Sequence, residues 1–355
     1  MSADGRKYRV AVIAGDGIGK EVVPEGIRVI EAAGRRFGFS VSWQEFDWSC
    51  ERYVKTGSMM PVDGLHQLRP FDGIFLGAVG YPGVPDHVSL WGLLIPIRRD
   101  FHQYVNLRPV RLLPGIEAAV KNPGPIDFCV VRENNEGEYS TIGGRLHAGS
   151  DEEMAMQQSV FTRKGCDRVM RFAFELACGR RQHVTSATKS NGIIHTMPFW
   201  DERFAVISGQ YPDIRADQYH IDILTAHFVR HPDWFDVVVG SNLFGDILSD
   251  LGPAIVGSIG IAPSANLNPE KEYPSMFEPV HGSAPDIAGK GIANPIGQIW
   301  SGAMMLRHFG EPAAADAIER AIEKVLAGGG PRTADLGGRA NTREAGDAIA
   351  SALAA

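Results

Sequence analysis

No apolar run in the chain approaches the roughly 18 residues needed to cross a bilayer. The opening MSADGRKYRV also lacks the apolar core of a secretory leader. Neither membrane insertion nor secretion is supported, and a cytoplasmic protein is expected. Cysteine is scarce: Cys50, Cys129, Cys166 and Cys178 are the only four, and none forms a CxxC pair. That excludes a disulfide framework or zinc ribbon and predicts reduced, structural thiols. His227 and His231 stand four apart, but HFVRH lacks the glutamate of a zincin motif. Excess positive charge is missing as well. A net charge of −7 and a pI near 5.9 argue against a nucleic-acid partner, and no membrane partner is expected either. There is no internal repeat and no low-complexity linker.

What the chain does have is 44% apolar residues, with 41 glycines and 22 prolines, enough for a large core broken by many turns. YRVAVIAGDGIGKEVVPEGIRVIEAAG (8–34) reads as strand, glycine turn and a helix ending at Gly34. The turn GDGIG is not a dinucleotide fingerprint, because its third glycine position is Lys20. Strands are predicted at 40–49, 73–80, 126–134, 183–191 and 235–240. Helices are predicted at about 94–101, 164–178, 195–208 and 215–230. Between them, 137–163 has little helical periodicity and suggests a protruding hairpin. A long Gly/Pro-rich loop is expected from PSANLNPE through MFEPVHGSAPDIAGKGIANP, and two helices close the chain, the first with Ile318, Ile322, Val325 and Leu326 on one face. Strands alternating with helices predict an α/β architecture.

GSNLFGDILSDLGP (240–253) is the stretch around which the rest is organised. A buried strand, FDVVVG, leads through Ser241 and Asn242 into a helix carrying Asp246 and Asp250. At that spacing the two carboxylates lie on one face and repel mildly, so they call for a counter-charge. A hard divalent cation is one answer, and a pair of solvated helix charges is the other. Asp222, beside Ile221, Leu224 and Phe228, is a third candidate carboxylate or a boundary charge. Arg98, Arg108 and Arg132 stand near strand ends, where open α/β sheets bind ligands. Three planar guanidinium forks suit a di-acid, although each alone is ambiguous. Tyr139 and Lys189 are ambiguous alone too; a partly buried lysine near cations would have a lowered pKa and could act as a base.

Together, RENNEGEYS, ATKSNG, NLFGDILSDL and EPVHGSAPDIAGKGIANP, in this order, resemble the β-decarboxylating dehydrogenases of the isocitrate/isopropylmalate dehydrogenase family. The likeness runs over nearly the whole chain. It implies an isopropylmalate dehydrogenase-like fold, with a large mixed twisted sheet flanked by helices and two intimately joined domains. Residues 1–103 and 260–355 would form a discontinuous outer domain carrying the NAD loop. Residues 104–259 would form the central dimerisation and catalytic domain, including an intersubunit arm at 137–163. It further implies a homodimer with shared active sites. Asp246 and Asp250 would hold Mn²⁺ or Mg²⁺ with Asp222 of the second subunit, and Arg98, Arg108 and Arg132 would clamp the substrate carboxylates. Lys189, also from the second subunit, would be the base and Tyr139 the acid. A monovalent cation, K⁺, is also common in the relevant branch. His281, Gly282, Ala284, Pro285, Asp286 and Asn294 would hold the cofactor. Asp286 points to NAD, because a carboxylate accepts from both ribose hydroxyls and repels a 2′-phosphate.

The segment before Arg98, DHVSLWGLLIPIRRD, lacks the serine and asparagine pattern of isocitrate enzymes. Its bulky Trp91, Leu94 and Ile95 resemble the branch acting on D-malate and tartrate, whose C3 carries only hydrogen or hydroxyl. The expected reaction is NAD-linked oxidation of a small 2-hydroxy diacid at C2, with loss of CO₂ from D-malate. An isopropylmalate dehydrogenase is the rival within the family, since one pocket contact discriminates by only about 1–3 kcal/mol.

Overall fold

A computed structural model describes residues 5–354. The strands, in chain order, are β1 (Arg6–Gly15), β2 (Phe39–Glu45), β3 (Gly73–Ala78), β4 (Val105–Arg111), β5 (Asp127–Glu133), β6 (Gly143–Leu146), β7 (Met154–Gln157), β8 (His183–Thr188), β9 (Arg215–His220), β10 (Val237–Gly240), β11 (Pro263–Leu267) and β12 (Ser275–Pro279). Two compact units divide the chain. One holds 1–103, 111–121 and 253–355; the other holds 104–110 and 122–252.

In the first unit the strand order is β2-β1-β3-β12-β11. β1 pairs in parallel with β2 and β3, and β3 with β12, whereas β11 runs antiparallel to β12. Every residue of β3, β11 and β12 is buried, as expected for strands covered on both faces. Trp48, Phe71, Leu76, Leu93, Ile97, Phe101 and Met276 form one core cluster of this unit. In the second unit the order is β4-β5-β10-β8-β9, with β5, β10, β8 and β9 all parallel. Its core packs Phe128 edge-on against Phe228 and Phe235, while the buried Trp200 donates its indole N–H to Ser186 Oγ at 2.9 Å. β6 and β7 form a separate antiparallel hairpin whose residues are all exposed, so the 137–163 segment is a hairpin as its composition predicts.

Several expectations need correction. Residues 215–220 are a strand, not the start of a helix, because parallel pairing with β8 overrides a polar sequence with no period-two signal. The expected loop from 263 to 294 begins with the β11–β12 hairpin, and only the part after Pro279 is irregular. Helix Ile296–Phe309 escapes sequence reasoning because Ile296 through Leu306 are buried on every side, which leaves no polar face to reveal a period. The first helix, Gly19–Phe37, continues past Gly34 and ends at Gly38, which adopts φ 77°. Strand β2 stops at Glu45, and Ser49 instead caps the helix that starts at Cys50. The helical segment before Arg98 starts at Asp86, earlier than predicted. It passes through a wide π-helical turn, Leu90–Leu94, directly before Pro96, where a widened ladder accommodates the missing N–H. The four cysteines are free, three of them buried. Among the described residues no helix is long and apolar enough to cross a membrane.

Candidate active site

The acidic stretch folds as predicted, into β10 followed by helix Asn242–Ile255. The counter-charge that Asp246 and Asp250 require is supplied in this structure by arginine. Arg108, from β4, places Nη1 3.6 Å from Asp246 Oδ1 and 3.0 Å from Asp250 Oδ1. It is further fixed by donating to Ser249 Oγ at 2.7 Å. Arg132, the penultimate residue of β5, also pairs with Asp246, and its Nε and Nη2 both donate to Asn242 Oδ1. Tyr139 donates its hydroxyl to Asp246 Oδ2 at 2.9 Å, with the Arg132 guanidinium 5.3 Å from its ring centre. Arg108 and Arg132 are buried while Asp250 is open to solvent. Partial desolvation raises the Asp250 carboxyl above its ordinary range, with Arg108 pulling the other way. Two hard oxygen donors already bracketing one cationic nitrogen fit a divalent cation, with the arginine nitrogen standing where positive charge is wanted.

Lys189, just past β8, and Asp222, in the first turn of helix Ile221–Arg230, form a second pair, Nζ to Oδ1 at 2.8 Å. The lysine holds the Asp222 carboxyl below its ordinary range. Among the described residues no three His, Cys, Asp or Glu side chains come close enough to hold a metal, so one chain does not assemble Asp222, Asp246 and Asp250 into a single cluster. Arg98 is in the first unit, buried, and donates to Glu278 Oε1 at 2.9 Å; Asn266 donates to the same oxygen at 2.7 Å. Trp91 lies under the Arg99 guanidinium, Leu94 packs partly on the core, and Ile95 is buried.

The residues expected to hold the cofactor follow β12. His281 is buried, with Nδ1 3.0 Å from Gly282 O, which makes that nitrogen the N–H donor. Burial lowers its pKa, so the ring is neutral, and Nε2 is left as an acceptor with no partner among the described residues. An orphaned buried acceptor beside the exposed Gly282 fits the exocyclic amine of a purine. A Cβ added at Gly282 would meet nothing within 4 Å. Ala284 holds φ 41°, and Ile287 N and Ala288 N return to its carbonyl at 3.1 Å, forming a turn that carries Pro285 and Asp286 outward. Asp286 is exposed and pairs with no described residue, which suits a diol acceptor. Asn294 is more constrained than expected: Nδ2 donates to Asp335 at 2.9 Å and Oδ1 accepts from Ile296 N at 3.0 Å. One amide N–H is left for a ligand.

The rejected fingerprint GDGIG has a different use. A Cβ on Gly17 would lie 2.0 Å from Ser283 O, and Ile18 N donates to that same oxygen at 2.9 Å. The glycine turn is thus the seat of the 281–294 loop rather than a phosphate cradle. The loop's Ala284, Ile287 and Ala288 then pack on Ile18, Val22 and Ala293.

Sequence reasoning passed over three glutamates in RENNEGEYS. Glu133 is buried and accepts from Asn135 N and Glu136 N at about 3 Å; desolvation raises its pKa to about 7. Glu136 accepts from Thr162 N and Oγ1, and Glu138 from Ser241 Oγ and Leu243 N. Their one signal was three acidic residues crowded into an aperiodic stretch directly after a buried strand.

The isocitrate/isopropylmalate dehydrogenase family profile matches residues 9–349. A D-malate dehydrogenase [decarboxylating] from Escherichia coli (strain K12) is 60% identical over 354 residues, covering 97% of this chain and 98% of the relative. A tartrate dehydrogenase/decarboxylase from Pseudomonas putida is 56% identical over 358 residues, covering 98% of both. A crystal structure of isocitrate dehydrogenase from Methylococcus capsulatus superposes with a TM-score of 0.90 at 35% identity, covering 98% of this chain and 100% of that one.

Proposed function

The chain belongs to the isocitrate/isopropylmalate dehydrogenase family, and on that premise we propose that it oxidises D-malate and tartrate at C2 with NAD, decarboxylating D-malate to pyruvate and CO₂. The observation that carries this reading is the convergence of Arg132, Arg108 and Tyr139 on the carboxylates of Asp246 and Asp250. Identity of 60% to a D-malate dehydrogenase supports this substrate class over isopropylmalate.

Asp246 and Asp250 of one subunit, with Asp222 of a second copy, would hold Mn²⁺ or Mg²⁺, and the 281–294 loop would hold NAD through Asp286 and His281. Bound there, the cation supplies Lewis acidity to the C2 oxygen and NAD supplies the hydride acceptor. The chain's own residues do the rest. Arg98, Arg108 and Arg132 bind the two substrate carboxylates through planar, charge-assisted contacts and fix the bond to be cleaved. Lys189 takes the proton of the C2 hydroxyl, and its contact with Asp222 keeps it in place until then. As the C3–CO₂ bond breaks, its electron pair is taken up at C3 by the proton that Tyr139 delivers. The balance is D-malate and NAD⁺ giving pyruvate, CO₂ and NADH.

The test is NADH formation with Mn²⁺ across D-malate, L-tartrate, meso-tartrate, isocitrate and 3-isopropylmalate. Best turnover on D-malate or a tartrate is expected. Best turnover on isopropylmalate would sink the substrate assignment, and turnover on none would sink the enzymatic reading.

A further inference from the structure

Tyr139 reaches Asp246 from a segment with no regular structure, so something must hold it there. Glu138, the preceding residue, sends its carboxylate to the first turn of the acidic helix. Its Oε1 accepts from Ser241 Oγ at 2.8 Å and its Oε2 from Leu243 N at 3.0 Å. Ser241 Oγ in turn accepts from Phe244 N at 3.4 Å. Two of the N–H groups that a helix start leaves without intrahelical partners are thereby filled, one of them by a residue more than a hundred positions earlier.

A second fastening is independent of Glu138. Asn242 receives Arg132 on Oδ1 and donates from Nδ2 to Glu136 O at 2.9 Å. Gly245 lets the helix lie directly on Arg132, since a Cβ there would come within 2.6 Å of the arginine's own Cβ. The acidic helix is therefore also seated on the end of β5 through Asn242 and Gly245, whereas Glu138 ties residues 137–139 to its first turn.

We propose that Glu138 is a positioning residue that sets the Tyr139 hydroxyl against Asp246 by clamping residues 137–139 to the start of the acidic helix. The proposal rests on the reading of Tyr139 as the proton donor to C3. A helix cap with no further role would lower stability and move every kinetic parameter with it. A positioning clamp separates kcat from binding.

The experiment compares the full-length protein with Glu138→Ala and Glu138→Gln. With Mn²⁺, NAD and D-malate, Glu138→Ala should lower kcat about thirtyfold, less than the roughly 10²–10⁴-fold expected for loss of the acid itself. KM for D-malate should stay within about threefold, as should the Mn²⁺ dissociation constant read from free-ion EPR in the absence of substrate. Glu138→Gln should recover most of the loss, because its amide oxygen accepts from Leu243 N and its amide nitrogen donates to Ser241 Oγ. In the ligand-free protein, amide exchange should quicken at both 137–141 and 241–245 in the alanine variant and return in the glutamine variant. Unchanged kcat, or kcat, KM and Mn²⁺ affinity falling together without rescue by glutamine, overturns the proposal. Quickened exchange at 241–245 alone also overturns it. If the wild type does not oxidise D-malate, the functional reading has failed, and the exchange data still decide whether Glu138 clamps the segment.

Discussion

Arginine is buried beside carboxylate in both units, but the company differs. In the first unit Arg98 meets Glu278, and both side chains are about nine-tenths hidden. In the second, Arg132 and Arg108 are equally hidden, yet their partners Asp246 and Asp250 remain 31% and 57% exposed. A pair buried at both ends is fixed, because opening it would strand a charge away from water. A pair open at one end can exchange partners. On the proposed function, the carboxylates would pass to a metal while the guanidinium groups pass to substrate carboxylates. The first arrangement orients a group; the second keeps a site in a neutral resting state until its ligands arrive.

This contrast can be broken by mutation. The largest effect should follow Asp246→Asn, which removes a proposed metal ligand and weakens the point where Arg132 and Tyr139 meet. We expect kcat/KM for D-malate to fall at least about a thousandfold, equivalent to about 4 kcal/mol, with the thermal midpoint little changed. In dimers mixed from Asp246→Asn and Asp222→Asn subunits, one intact site should survive if sites are shared; complete inactivity in isolated hybrids would refute sharing. Next, Glu278→Ala should cost about 3–5 kcal/mol of stability by denaturant titration, since it removes the carboxylate that a buried Arg98 meets away from water. Asp250→Ala, at the open end, should cost under about 1 kcal/mol. Equal losses would remove the distinction between fixed and exchangeable pairs.

The units should also answer pH in opposite directions. In the second unit the Glu133 carboxyl is raised to about 7, so the fold favours its protonated form. Its contribution is most favourable below about pH 4.5 and is lost as pH rises toward 7. In the first unit, desolvation lowers His308 to about 4, with Lys271 adding to the effect. That contribution is intact above about pH 6.5 and is lost as pH falls toward 4. Each shift corresponds to as much as about 3 kcal/mol across its window. Glu133→Gln should therefore abolish a gain in stability on acidification, and His308→Gln should abolish a loss; the same slope in both variants would contradict this. The smallest effect should come from Asp286→Asn. It keeps an acceptor for the ribose but removes the charge, and should weaken discrimination against NADP about tenfold, measured as the ratio of kcat/KM for the two cofactors.

Much of this was legible in advance because charge follows buried strands: Arg132 stands near the end of β5, Lys189 follows β8, and the spacing of Asp246 and Asp250 identifies a helix face by itself. What was hidden had no period to show. Helix Ile296–Phe309 is buried on every side from Ile296 to Leu306, and β9 is polar because only pairing with β8 makes it a strand. The need for a counter-charge was readable, but its identity in the unliganded chain was not, since nothing local links Arg108 to a helix some 140 residues later. Glu138 was invisible for the same reason: its meaning lies wholly in Ser241 and Leu243.

The seating of Ser283 against Gly17 has a consequence for the order of events at the ribosome. The second unit is nearly one stretch, 122–252, and needs only the short strand segment 104–110 from outside it. The first unit is made from both ends of the chain. Its earliest strand, β1, emerges long before β12, and the Gly17 socket is built some 260 residues before the loop that occupies it. Domains fold as their sequence becomes available during synthesis. The acids and arginines of the second unit can therefore be in place while the 281–294 loop is still untranslated, and β1 and its glycine turn must wait for that later part of the protein. The loop can close onto its socket only once residues 281–294 have been made.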